Sequence, residues 1–109
     1  MRLGVLKEPD GENRVSLIPN SYKKLNKLGF ELTVESGAGV ISHYSDNEYQ
    51  SAGFTVSDKT SVLESEIVVS ISTPDLSNAK EGQIFVCVSD PFRNPSMVKQ
   101  AIEKKITLI

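Results

Sequence analysis

Cysteine is almost absent from this chain of 109 residues, where Cys87 is the single one. No intramolecular disulfide can form, and a reducing compartment is the expectation. Histidine is equally scarce, with His43 alone, so no His/Cys ligand set of the zinc type exists and no metal is expected. Apolar runs reach only about five to six residues, whereas a membrane helix needs roughly 20. A basic surplus is missing too. Twelve Lys and Arg against 14 Asp and Glu leave a net charge of −2, so there is no field to hold a phosphate backbone, and nucleic acid is disfavoured as a partner. The N-terminus lacks a signal-peptide layout, because an acidic residue arrives at position 8. What is present is ordinary for a globular domain: 39% hydrophobic and 24% charged residues. A chain of this length buries roughly two thirds of its unfolded surface and needs neither disulfide nor metal to fold.

The apolar pattern alternates between strand and helix. Residues 2–6 (RLGVL) read as a first strand. A helix follows over 19–30, with Pro19 suited to its first position and Gly29 to its stop. Tyr22, Leu25 and Leu28 fall three apart and predict its buried stripe. Residues 30–36 read as a strand. Ser45, with Glu48 three residues on, reads as a capping box for a helix that Gly53 ends. A brief strand over 54–58 and a weak helix over 59–66 come next. The β-branched run 66–72 (EIVVSIS) and the apolar run 84–89 (IFVCVS) have the composition of strands covered on both faces. A helix over 96–105 puts Met97, Val98, Ala101 and Ile102 on one face, and 106–109 begin a last strand. Strands alternating with helices predict an α/β fold: one doubly wound, mainly parallel sheet, flavodoxin-like and three-layered, forming a single domain over residues 1–109. The sequence stops at Ile109 inside an apolar run, which points to an N-terminal piece, or the ordered part, of a longer polypeptide.

Several residues invite a chemical reading. Gly37 and Gly39 in "GAGVIS" follow a strand, and Asp58 lies 19 residues after Gly39, a layout that mimics a dinucleotide fingerprint. In a true fingerprint the phosphate-binding helix opens directly on the glycines. Here "VISHYS" intervenes and the third glycine is missing, so a tight strand exit is the better reading. His43 sits in a polar loop with no acid partner beyond Asp46, and a surface position is expected for it. Cys87, between Val86 and Val88, reads as a small, inert hydrophobe. Asp90 and Arg93 follow a strand, where ligands of open parallel sheets bind, but Asp90 equally suits a turn before Pro91. Arg14 lies beyond the first strand in "KEPDGENRVSLIP". It is placed either to clamp a carboxylate or phosphate, or to pair with Glu8, Asp10 or Glu12.

Together "LGVLKEPDGENRVSLIP", "KLNKLGFELTVESGAG", "SDNEYQSAGF", "SEIVVSIS" and "VSDPFRNPSMVKQAIEKKITLI" resemble one family over essentially the whole chain. They are similar to the N-terminal domain of the NAD(P) transhydrogenase alpha subunit and of its relative alanine dehydrogenase. The resemblance implies a doubly wound domain packed against a separate Rossmann domain that carries the nucleotide loop. It therefore implies that the "GAG" here is not the cofactor fingerprint. The lysine and histidine with which alanine dehydrogenases handle a keto acid align with Ser72 and Asp90, and a lysine usual in transhydrogenases aligns with Ser70. Of the keto-acid set only Arg14 remains.

The resemblance thus favours the transhydrogenase branch, in which hydride passes directly between two nicotinamide rings. It implies NAD(H) as cofactor of the full-length protein and none for residues 1–109 alone, with no catalytic or cofactor-binding residue in this stretch. Arg14 is the one cleft residue it carries over, facing a nucleotide or the neighbouring domain. Implied partners are the following Rossmann domain, other transhydrogenase domains or subunits, and a second copy in a homodimer. The implied location is the cytoplasmic or matrix face of a membrane complex, without insertion of this domain. The alternatives are an amino-acid dehydrogenase of the alanine or saccharopine type, with Arg14 as carboxylate clamp, and a stand-alone flavodoxin-like interaction module.

Overall fold

The first strand, β1 (Arg2–Val5), is apolar on both sides and takes the middle of a six-stranded parallel sheet. In the computed structural model, residues 1–9, 12, 14–72, 76, 79–87 and 107–108 are described, the last two as backbone only. The other strands are β2 (Glu31–Glu35), β3 (Thr55–Ser57), β4 (Ile67–Ser70), β5 (Ile84–Cys87) and β6 (Thr107–Leu108). All six coincide with runs that the sequence marks as strands. The helix expected over 96–105, and Asp90 and Arg93 with it, lie outside the described residues.

The strand order is β3-β2-β1-β4-β5-β6. Within the expected three-layer class this is the order of dinucleotide-binding sheets, not flavodoxin's 2-1-3-4-5. Its cause is directional. The chain steps outward from β1 to β2 to β3, then returns across the sheet to pair β4 with β1 in register Leu3↔Ile67. Right-handed crossovers going opposite ways must use opposite faces. Accordingly α1 (Tyr22–Lys27) and α2 (Asp46–Ala52) cover one face, and α3 (Lys59–Leu63) covers the other.

Alternation along the strands feeds the two cores. Leu3, Val5, Leu32, Val34 and Val69 meet Tyr49 and Phe54 on the α1/α2 face, with Tyr22 and Leu25 packed beside them. Leu6, Val62, Val68, Leu76 and Phe85 form the core on the α3 face. The stripe predicted for the first helix is only partly realised. A 3-10 turn at Pro19–Ser21 precedes α1, which ends at Lys27, so Leu28 swings off the buried face and is 73% exposed. Gly29 stops the helix and Gly53 stops α2, as expected, and the Ser45 hydroxyl accepts from the Glu48 N–H.

Gly4 lets α3 lie close on β1. A Cβ at this position would stand 2.6 Å from Ser65 Oγ and 2.7 Å from the Val62 carbonyl oxygen. The second of these is backbone and cannot step aside cheaply. Gly4→Ala should therefore lower stability by about 2 kcal/mol, the usual scale for overpacking. The check is the urea midpoint of the variant, and an unchanged midpoint would mean that α3 is free to lift.

Candidate functional site at the carboxyl edge of the sheet

A parallel sheet gathers all its strand exits on one edge, and the crevice there lies where the connections reverse direction. Here that point falls between β1 and β4. Three carboxylates stitch the edge together. Glu8, just past β1, accepts from the backbone N–H groups of Ile71 (2.9 Å) and Ser72 (2.7 Å), just past β4. Its carboxylate is nearly buried, at 7% exposure. Glu35, the last residue of β2, accepts from the Lys7 N–H at 2.6 Å. Asp46, the first residue of α2, accepts from the Gly37 N–H and the Ser36 hydroxyl, both at 2.9 Å.

The third of these decides the reading of "GAG". Gly37 has φ +81 and forms the tight exit from β2, and its N–H is already bonded to Asp46. At Gly39 a Cβ would stand 2.6 Å from the Tyr49 ring, so this glycine makes room for a core aromatic. The two glycines fold a loop against α2, as the spacing argument expects. Asp58, at the place of a ribose-binding acid, instead caps α3 by accepting from the Ser61 N–H at 2.8 Å. That bond holds its carboxyl below the ordinary range.

The described residues between β1 and the 3-10 turn form a strap that carries Arg14. One end is fixed by Glu8 and Glu35. The other is fixed by Tyr49, whose hydroxyl donates to the Leu17 carbonyl oxygen at 2.7 Å. Tyr49 has no exposed surface and sits edge-on to Phe54, with centroids 5.1 Å apart. Burial, and then Tyr44, Asp46 and Glu48, push its phenol pKa up to about 12.

Arg14 itself faces solvent. Among the described residues its ion-pair partner is Glu12, held in bidentate fashion. Nε donates to Oε1 at 2.9 Å and Nη2 to Oε2 at 3.0 Å, and the Arg14 backbone N–H adds a bond of 2.9 Å to Oε1. The hydrogen bond and charge of Glu12, aided by the charge of Glu8, hold the guanidinium above its ordinary pKa. Arg14 thus stands within the electrostatic reach of the β1/β4 crevice.

The remaining singled-out residues are not gathered there. His43 is exposed at φ 67 in the loop before α2. Cys87 is half-buried at the end of β5, its Cα paired with that of Ser70. Ser70 and Ser72 are spent on their own loop: the Ser70 hydroxyl donates to the Ser72 carbonyl oxygen at 2.8 Å, and the Ser72 N–H bonds Glu8. The residue that sequence reasoning undervalues is Glu8, weighed only as a partner for Arg14. Its signal is its place, a carboxylate three residues beyond the end of a central parallel strand.

Known proteins share this arrangement. The sequence pattern of the family described as "Alanine dehydrogenase/PNT, N-terminal domain" matches residues 4–109. NAD(P) transhydrogenase subunit alpha of Haemophilus influenzae is 28% identical over the full length of this chain, which corresponds to 22% of that protein. An alanine dehydrogenase of Staphylococcus haemolyticus is 30% identical over 97% of the chain and 30% of its own length. The crystal structure of transhydrogenase from Sinorhizobium meliloti superposes with a TM-score of 0.92 at 28% identity, covering 99% of this chain and 34% of that one. The chain thus spans between about a fifth and a third of the relatives it matches. With its strands, crossovers and carboxyl edge in this order, the chain belongs to the alanine dehydrogenase/transhydrogenase N-terminal domain family.

Proposed function

We propose that this domain is the N-terminal, non-Rossmann part of the NAD(H)-binding component of a proton-translocating NAD(P) transhydrogenase. The complete enzyme would pass hydride between NAD(H) and NADP(H), with proton movement assigned to separate membrane parts. Among the described residues no helix is long and apolar enough to cross a membrane. The domain's share of the work would be to build one wall of the nucleotide cleft, with Arg14 on it, and to support a homodimer.

The observation that carries this reading is the state of the β4 exit. Keto-acid chemistry of the alanine dehydrogenase type needs an amine there, and Ser70 and Ser72 offer hydroxyls instead, that of Ser70 already bonded within the edge. Hydride transfer between two nicotinamide rings makes no such demand. The same edge does not fit a nucleotide bound by this domain alone. The amides that would face a pyrophosphate, those of Gly37, Ile71 and Ser72, already donate to Asp46 and Glu8. The cofactor is therefore assigned to a following Rossmann domain of the same polypeptide.

The test is a fluorescence titration of NADH into the chain of 109 residues and into the longer product of its gene. The longer product should bind in the micromolar range, and the chain alone should show no saturation below millimolar NADH. Micromolar binding by the chain alone would overturn this division of labour. Alanine-dependent NAD reduction by the longer product would move the assignment to the dehydrogenase branch.

A further inference from the structure

The backbone ladders on both sides of β1 are ended by carboxylates. Past the Val5↔Val69 pair the β1–β4 ladder has one more bond, from the Leu6 N–H to the Val69 carbonyl oxygen at 3.1 Å. A parallel ladder continued by one step would give the Ile71 N–H to the Leu6 carbonyl oxygen. That N–H goes to Glu8 instead, at 2.9 Å, and the Ser72 N–H follows it at 2.7 Å. On the β2 side the Glu31 N–H donates to the Met1 carbonyl oxygen, and the two-residue repeat then sets the Lys7 N–H opposite the Glu35 backbone carbonyl. The Lys7 N–H takes the Glu35 carboxylate instead, at 2.6 Å. Side-chain oxygens thus replace backbone oxygens where the strands part. The β4 exit is gripped twice, since Glu8 holds the Ser72 N–H and the Ser70 hydroxyl holds the Ser72 carbonyl oxygen.

We propose that Glu8 is a positioning residue of the cleft: its carboxylate ends the β1–β4 ladder and ties the strap to the β4 exit as one preformed wall. The inference rests on the reading of this edge as a wall of the nucleotide cleft. A backbone carbonyl would hold the two exits at the ordinary strand spacing of about 4.8 Å. A carboxylate on a two-methylene stem lets them part further and still bonds both amides. Its bonds are charge-assisted and nearly buried, which keeps them short and directional. A crevice whose width is set in advance spares its ligand the cost of ordering two loops on binding.

Two measurements separate this role from that of a merely structural bond. The first uses the 15N-labelled chain of 109 residues and Ser70→Ala, which frees the Ser72 carbonyl oxygen. The disturbance should pass through Glu8 to the strap. The backbone amide resonances of Glu12 and Arg14 should therefore shift on Ser70→Ala in the wild-type background and stay put in Glu8→Ala. A strap response in both backgrounds, or in neither, would overturn the link. The second titrates NADH into the longer product of the gene, under conditions where every variant is fully folded. Glu8→Gln should weaken binding about tenfold, an order below the roughly hundredfold that a 1 Å misplacement can cost. Gly4→Ala, which is destabilised against α3 and does not touch this edge, should bind NADH as the wild type does. Equal affinities in Glu8→Gln and the wild type, or equal weakening in Glu8→Gln and Gly4→Ala, would overturn the positioning role. A wild-type product that binds no NADH would instead remove the cleft reading itself, and the link between the two exits would be judged by the Ser70→Ala shifts alone.

Discussion

Glu8→Ala is expected to lower the stability of the domain by about 3 kcal/mol. The carboxylate accepts two short bonds from consecutive backbone amides 63 and 64 residues away, in a site that is 7% exposed. Each buried donor left without its acceptor costs roughly 1–3 kcal/mol, and bonds to a charged acceptor lie toward the upper end. Two such donors sum to about 2–6 kcal/mol, and water entering the space that alanine vacates recovers part of the loss, which leaves about 3 kcal/mol. Against a typical stability of about 5–15 kcal/mol this is a large fraction. With urea m-values of about 1–3 kcal/mol/M, the midpoint should fall by at least about 1 M at unchanged slope. Glu8→Gln separates the geometry from the bulk. Its single carbonyl oxygen satisfies one amide, while its NH2 group confronts the other donor, so roughly half the loss should remain. Hydrogen exchange at Ile71 and Ser72 reads the same event locally: both amides should lose protection in Glu8→Ala, and one should keep it in Glu8→Gln. Wild-type protection of both amides in Glu8→Ala would show that the two exits are held by something other than this carboxylate.

The consequence for function lies in the strap. Glu8 fixes the direction in which the chain leaves β1, and Arg14 is six residues further on. An edge held by Glu8, Glu35 and Asp46 presents few free backbone donors, because its own carboxylates take them. Such an edge suits a wall against which another domain's ligand rests. It is poorly suited to being the phosphate-binding floor that the same topology provides in dinucleotide-binding domains.

What the sequence reveals, and what it hides, divides by range. The central strands β1 and β4 are legible because parallel strands buried on both faces are apolar throughout, which gives runs such as Ile67–Ser70. Local stops and caps are legible too, since Gly29, Gly53 and Ser45 act on residues within one turn. The "GAG" loop can be told from a phosphate loop for the same reason, by its distance to the next helix start. Asp58 shows the limit of local reading: its spacing from the glycines matches a ribose-binding acid, yet its bond to Ser61 makes it a helix cap. Leu28 shows another, because a three-residue repeat says nothing about where the helix ends, and here it ends one residue too early. The strand order is not written in any single segment. It depends on the chain reversing after β3, and the Glu8 bonds exist only once that reversal has brought the β4 exit beside that of β1. Even the pairing of Arg14 with Glu12, purely local, is not singled out by the sequence, which offers several acidic neighbours.

Tyr49 should be the most costly side chain to truncate. It is fully buried at the centre of the α1/α2 core, edge-on to Phe54 and against Gly39, and its hydroxyl holds the far end of the strap. Tyr49→Ala should cost about 3–5 kcal/mol, the usual range for removing a buried aromatic. Tyr49→Phe keeps the ring and removes only the donor to the Leu17 carbonyl oxygen, so about 1–2 kcal/mol is expected. The pH dependence distinguishes the hydroxyl from the ring. Folding raises the phenol pKa from its ordinary value of 10 to about 12, so the folded state holds this proton more tightly than the unfolded state does. The stability contributed by the protonated hydroxyl is therefore complete below pH 10 and is lost as the pH rises through about 12. Urea midpoints of the wild type and Tyr49→Phe should differ by a constant amount from pH 7 to pH 9, and the gap should narrow between pH 10 and 12. Tyr49→Ala should remain far below both throughout. Equal midpoints for the wild type and Tyr49→Phe from pH 7 to pH 9 would mean that the hydroxyl bond contributes nothing in the folded state. The strap would then owe its position to Pro19 and the Glu8 end alone, and Arg14 would be anchored from one side only.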